Sequence, residues 1–325
     1  MLRLRVTTLA VLVAGAGCAS GPMPSAPTSQ GFRQTTYAHS PLAAAAKELL
    51  YVASSYPSAV LIYNAQAKSS SPIGTISKGI NVPQGLAVDG QQNLYVANYG
   101  NSSVSAYKRG QTKPFETLKD GIITPIDVAA DTDGTLYVAC PNSSASAYVV
   151  QVFPPNGSKP SETLTNAAFT YISAVAVDGQ HDLYVAASAG GSGLGPFEVL
   201  KLKAGSHHWQ NMRLLLTRGS VNNIVFGLAV DSLGRLAVSG ILSNGSAGFV
   251  DTFPKGSRTP SITINPEIGA TRIAFSTNGK SIYVGDFATS GASVPELKYP
   301  SGKLIYTFTS SDEMLAVAIS PAAPF

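Results

Sequence analysis

The sequence predicts an all-β fold: six four-stranded antiparallel sheets set as the blades of a six-bladed β-propeller, closed by pairing the C-terminal strand with the N-terminal blade. Three observations predict it. First, an apolar quartet recurs six times, beginning at Leu50, Leu94, Leu136, Leu183, Leu236 and Ile282, with 42 to 53 residues between copies. That period suits a propeller blade. Second, a short pattern precedes five of the quartets, as in Gly85-Leu86-Ala87-Val88-Asp89 and Gly227-Leu228-Ala229-Val230-Asp231. Third, its sixth copy, Ala316-Val317-Ala318-Ile319-Ser320, stands at the far end of the chain with no quartet after it, while the quartet at Leu50 has no such pattern before it. Circular closure explains both displacements and leaves no blade with an open edge.

Within one blade, Gly85 to Asp89 reads as the innermost strand, Gln91-Gln92 as a turn, and Leu94 to Asn98 as the second strand. Val104 to Tyr107 and Pro114 to Leu118 follow as third and fourth. Nearly continuous apolar runs mark the first two strands, since neighbouring blades cover both their faces; the outer two are expected to alternate and be wetter. Asp89, Asp131, Asp178 and Asp231 share one register and precede glycines at 90, 134, 179 and 234, as turn formers do.

Ahead of the blades lies an address. Arg3 and Arg5 precede an apolar stretch between Val6 and Ala16. It is too short for a bilayer span and suits a secretory signal, so residues 1–17 read as a signal peptide. Gly15-Ala16-Gly17-Cys18 resembles the lipobox of bacterial lipoproteins, in which the cysteine is lipid-modified and begins the mature chain. Ordinary cleavage after Ala14-Gly15-Ala16 stands as the alternative and would leave a secreted or periplasmic soluble protein. Ala19 in place of Asp after the cysteine implies, by the same resemblance, the outer membrane. Residues 18–46, rich in Pro, Ser and Thr, read as a flexible tether, and 47–325 as the propeller.

Composition narrows function. The chain of 325 residues has 22 Lys+Arg against 18 Asp+Glu, and only 12% of its positions are charged. Removing the signal takes away two arginines, so nothing points to nucleic acid. Membrane contact is expected through the lipid anchor alone, and the propeller is expected to be a monomer. Of two cysteines, Cys18 is consumed by lipidation and Cys140, at the end of a quartet strand, reads as a small buried hydrophobe. The glycine-rich run from Gly190 to Gly195 lacks dinucleotide spacing. His207-His208-Trp209 lacks the partners of a zinc site, and no common hydrolase motif occurs.

At the level of the repeat, the aspartate, turn glycine and Leu-Tyr-Val-Ala succession resembles six-bladed propellers of the NHL-repeat and gluconolactonase-like superfamily. The resemblance implies the fold over roughly residues 47 to 325 and, in its lactonase branch, a divalent metal on the axis. The six copies also serve as each other's controls. Where other copies have Gly or Ala, Asp127 and Arg272 stand three blades apart and so should face each other across the axis. Asn98 and Asp286 share a register just past the quartet. Gln84, Tyr171, Phe226 and Glu313 fall on connections at the same face. A channel-mouth site of Asp127, Arg272, Asn98, Asp286, Glu313 and Gln84 is therefore the expected binding site, with Asp127 a possible ligand for Ca²⁺ or a similar cation. The expected function is binding of a small molecule, glycan or envelope protein; the alternative is a metal-dependent, lactonase-like hydrolase at that mouth.

Overall fold

The computed structural model describes residues 48–188, 196–216, 223–242, 247–266, 269–286, 293–309 and 316–320. Cys18 and Glu313 lie outside the described residues. In chain order, blade 1 begins with β1 (Leu49–Ser54), β2 (Ala59–Asn64) and β3 (Gly74–Ile76). Blade 2 is β4 (Pro83–Val88), β5 (Leu94–Asn98), β6 (Ser103–Tyr107) and β7 (Glu116–Leu118), with a 3₁₀ turn at Tyr99–Asn101. Blade 3 is β8 (Asp127–Ala130), β9 (Leu136–Pro141), β10 (Tyr148–Phe153) and β11 (Glu162–Leu164). Blade 4 is β12 (Tyr171–Val177), β13 (Leu183–Ser188), β14 (Phe197–Leu202) and β15 (Trp209–Asn211). Blade 5 is β16 (Ile224–Val230), β17 (Leu236–Ile241), β18 (Gly248–Phe253) and β19 (Ile262–Ile264). Blade 6 is β20 (Ala270–Phe275), β21 (Ser281–Asp286), β22 (Ser293–Lys298) and β23 (Lys303–Thr309), and β24 (Ala316–Ser320) ends the described chain.

All six sheets are four-stranded, and β24 joins blade 1 as its innermost strand, in the order β24-β1-β2-β3. Antiparallel register sets Ala53 opposite Ala316 and Leu49 opposite Ser320. The closure read from the displaced repeat is thus the observed topology. The strand ends differ by one or two residues from the blade reading. In blade 2 a bulge between Pro83 and Gly85 lets the innermost strand start earlier.

The core is a set of seams rather than one mass. Successive β1 residues point to opposite faces. Leu49, Tyr51 and Ala53 pack with Leu86, Leu94 and Val96 of blade 2. Leu50 and Val52 pack with Tyr283, Val294 and Phe308 of blade 6. Each blade is thus covered on both faces. The cover reaches further out than the sequence suggested: third strands such as β6 are buried at every position, and solvent reaches mainly the fourth.

Turn geometry corrects one detail of the glycine reading. In the β-turns that link first to second strands, left-handed backbone occurs three residues after the aspartate, at Gln92, Gly134, His181 and Gly234. Gly134 and Gly234 therefore meet a conformational need. Gly90 does not: it is required by close approach, since a Cβ there would lie 2.4 Å from the Thr132 carbonyl oxygen.

Candidate functional site

Six innermost strands approach the axis, and one register near their starts is small in four: Gly85, Ala174, Gly227 and Ala316. Space dictates this. A Cβ on Gly85 would fall 2.7 Å from the Asp127 Cα, and one on Gly227 would fall 3.0 Å from the Arg272 Cα. The two charged exceptions fill the room left between them. Arg272 Nε lies 3.5 Å from Asp127 Oδ1, with both side chains largely buried.

The guanidinium does more than face a carboxylate. Its Nη2 donates to the Ile126 carbonyl of blade 3 at 2.9 Å, and its Nη1 donates to the Ser173 carbonyl of blade 4 at 2.6 Å and to the Phe226 carbonyl of blade 5. One side chain from blade 6 therefore ties three other blades at the hub. Asp127 Oδ2 accepts the Val175 N–H of blade 4 at 3.0 Å. Burial pushes the Asp127 carboxyl up from its ordinary range, while the Arg272 charge and the N–H groups of Val175 and Val128 pull it back.

Past this layer the axis is apolar. A channel of about 210 Å³ is lined by three consecutive residues from each innermost strand, from Leu86, Ala87 and Val88 to Val317, Ala318 and Ile319. The ion pair therefore crosses the axis where the innermost strands begin, and the greasy bore follows it.

The remaining expected residues divide. Asn98 is fully buried. Its Oδ1 accepts the Asn81 N–H at 3.0 Å, and its Nδ2 donates to Ser105 Oγ at 3.0 Å and to the Val96 carbonyl at 3.2 Å. It braces blade 2 from within. Asp286, also buried, accepts from Ser293 Oγ at 3.3 Å across its own hairpin. Gln84 is partly exposed on β4. Glu313 cannot be placed. Of the expected set, direct contact joins Asp127 to Arg272.

The superfamily resemblance implies a divalent cation at the axis, and these donors do not suit one. Asp127 Oδ1 faces a guanidinium and Oδ2 holds a backbone N–H, while the Asn98 amide is taken up within its blade. A cation at Asp127 would have to displace or sit against the Arg272 charge.

Aromatic side chains gather at the same face. Tyr148 and Tyr171 meet edge to face with centroids 5.0 Å apart, and Phe197 meets Tyr171 at 6.4 Å. All three start their strands and are half-buried. Burial pushes the Tyr148 phenol up to about 12, helped by Tyr171 and Tyr99. Burial also raises Tyr171, against the pull of Arg272, and Tyr171 begins the strand whose Ser173 carbonyl accepts from Arg272, beside the hub. The sequence singled out Tyr171 and Phe226 as connection residues, whereas they lie on β12 and β16, innermost strands that start earlier than the repeat pattern suggested; Tyr148 and Phe197 were not singled out, because the third-strand register gave no reason to.

On the opposite face, Asp131, Asp133 and His181 bring one ligand atom each within 4.8 Å of one another. His181 Nδ1 lies 2.8 Å from Asp131 Oδ2, across the seam between blades 3 and 4. Here Asp131 departs from its siblings. Asp89 and Asp178 each accept N–H groups two and four residues on, whereas Asp131 Oδ1 accepts the Thr132 N–H next to it, Asp133 takes the Thr135 N–H, and Asp131 Oδ2 meets the histidine. The sequence signal was a histidine in the left-handed turn position that glycine or glutamine fills elsewhere. Cys140 is buried with its thiol pushed up by desolvation, as a core residue should be. Trp209 opens β15, stacked edge to face on Phe169.

No protein-family model matches the chain, and no curated protein matches it. Among solved structures it is similar to a chain in the crystal structure of a nidogen/laminin complex, at 13% identity over 84% of this chain and 98% of that one, with a TM-score of 0.60. It is also similar to hydrazine synthase of Kuenenia stuttgartiensis, at 14% identity over 90% of this chain and 99% of that one, with a TM-score of 0.57. These likenesses show the fold: the chain is a six-bladed β-propeller.

Proposed function

We propose that this propeller is a binding module of the bacterial cell envelope, exported by its N-terminal signal and anchored to the outer membrane through Cys18. Within propellers, the repeat pattern supports a place in the NHL-repeat and gluconolactonase-like superfamily. The site is the face that carries Asp127, Arg272 and the Tyr148, Tyr171 and Phe197 cluster, and its ligand is a glycan or an envelope protein. One observation carries this reading: the charged groups at the hub are spent on each other and on backbone, while partly exposed aromatic surface stands beside them. Such surface supplies contact area without needing a reactive group. A protein-complex setting for one propeller neighbour is compatible with it.

The test is Tyr171→Ala in the chain lacking its first 18 residues. Binding to isolated cell envelopes should weaken about tenfold at a temperature where circular dichroism shows the variant fully folded. Unchanged binding would contradict this face as the site. Stoichiometric Ca²⁺ or Zn²⁺ that Asp127→Asn removes, together with lactone opening, would overturn the binding reading in favour of a hydrolase.

A further inference from the structure

Between blades 4 and 5, away from the hub, lies a groove of about 630 Å³ lined by Lys201, Lys203, Arg213, Lys255 and Arg258, with Tyr184 at one wall and no Asp or Glu in its lining. The volume falls within the range of small-molecule sites, about 300–1,000 Å³. In a chain with only 12% charged positions, five cations on one groove are a concentration that needs a cause.

Some of this charge is already balanced. Lys201 Nζ lies 2.7 Å from Asp182 and 3.7 Å from Asp178, and Asp182 also feels Lys203. Lys203, Arg213, Lys255 and Arg258 make no ion pair among the described residues, and Arg213, Lys255 and Arg258 are the three that also lie away from Asp182.

Local structure nevertheless holds these three together. The Leu215 N–H donates to the Arg258 carbonyl at 2.8 Å, and Arg258 Nε donates to the Arg213 carbonyl at 3.2 Å. Arg213 itself adopts a left-handed backbone with φ of 48°, and its N–H donates to Asn211 Oδ1 at 2.8 Å. Lys255 Nζ reaches Gln180 Oε1 of blade 4 at 2.7 Å. The Arg258 guanidinium and the Lys255 ammonium are thus held by neutral acceptors, and Arg213 is tied to Arg258 through its carbonyl, while all three residues stay exposed along one groove. Like charges gathered on one exposed groove raise its positive potential and favour an anion there.

We infer that this groove binds a small polyanion carrying at least two phosphate groups. Phosphate fits better than carboxylate because it packs charge more densely: each monoester carries about −1.5 to −2 near neutral pH, so two of them match the four cations without an ion pair within a small-molecule volume. Paired arginines provide the forked donors that such oxygens accept. The source is either a soluble organic phosphate or a phosphate displayed on lipid. The site shares no residue with the hub, so it stands or falls separately from the proposed binding face.

The experiment is calorimetric titration of the full chain with sodium tripolyphosphate at about 50 mM salt, where screening is modest. Saturable binding should weaken at least about tenfold in the double variant Arg213→Ala, Arg258→Ala. It should change less than about twofold in a distant exposed pair, Lys113→Ala with Lys119→Ala. Unfolding midpoints accompany each titration, and Lys203→Ala with Lys255→Ala gives the same reading if the arginine pair proves unstable. A heat-silent wild type, or equal weakening by groove and distant pairs, overturns the inference. Co-sedimentation with phosphatidic acid vesicles, compared with phosphatidylcholine alone, then assigns the source: arginine-dependent capture means lipid phosphate, and its absence means a soluble ligand.

Discussion

Arg272 does the work of a rivet. Its charge faces Asp127, and its two terminal nitrogens reach carbonyls on three other blades. Removing the arginine strands a buried carboxylate and three carbonyls together. Arg272→Ala should therefore cost about 3–5 kcal/mol in urea unfolding. Arg272→Lys should recover little, because a single ammonium cannot reproduce the fork. Replacing both charges by well-packed apolar residues, as in Asp127→Leu with Arg272→Met, should restore most of the loss. A full recovery by lysine alone would show that charge, rather than the span of the guanidinium, holds the hub. The juxtaposition was legible in the sequence because six copies of one register expose an exception as soon as they are compared. What the partners do was not legible, because backbone carbonyls leave no trace in a residue pattern.

At the scale of the element, the turns between first and second strands show how one motif diverges. Asp89, Asp178 and Asp231 each cap their own turn, and Asp131, which accepts the Thr132 N–H within its turn, also accepts from His181 of the next blade. That hydrogen bond and the Asp131 charge raise the His181 pKa above its ordinary 6.5. A raised value in the folded state means that the stabilisation is fully present below pH about 6.5 and is lost as pH rises through the folded value. Wild-type stability should therefore decline across that window relative to His181→Asn, which should lack this slope. Parallel pH profiles for the two proteins would show that the pair contributes nothing. The strands themselves were legible because apolar runs and turn residues repeat. The cross-seam pair was not, since it joins residues 50 positions apart whose contact depends on how far one blade is rotated against the next. Asn98 illustrates the same limit from the other side. Its register suggested an open mouth, yet its amide is absorbed by Asn81, Ser105 and Val96 within blade 2.

For the whole molecule, stability is a property of the ring. No blade has a core of its own; each seam is filled by residues from two blades, and β1 contributes to both seams that flank blade 1. Losing one strand from an inner position therefore exposes apolar surface on two neighbours as well as on its own sheet. The short segment that closes the ring is β24, whose pairing with β1 completes blade 1. Its displaced sequence pattern announced this, because a repeat that runs off one end and resumes at the other has few geometric solutions. Urea unfolding of the chain truncated from Leu315 onward tests this closure most directly. The account predicts loss of the cooperative transition and of the parent's melting temperature. A truncated protein that unfolded cooperatively at the parent's midpoint would contradict it.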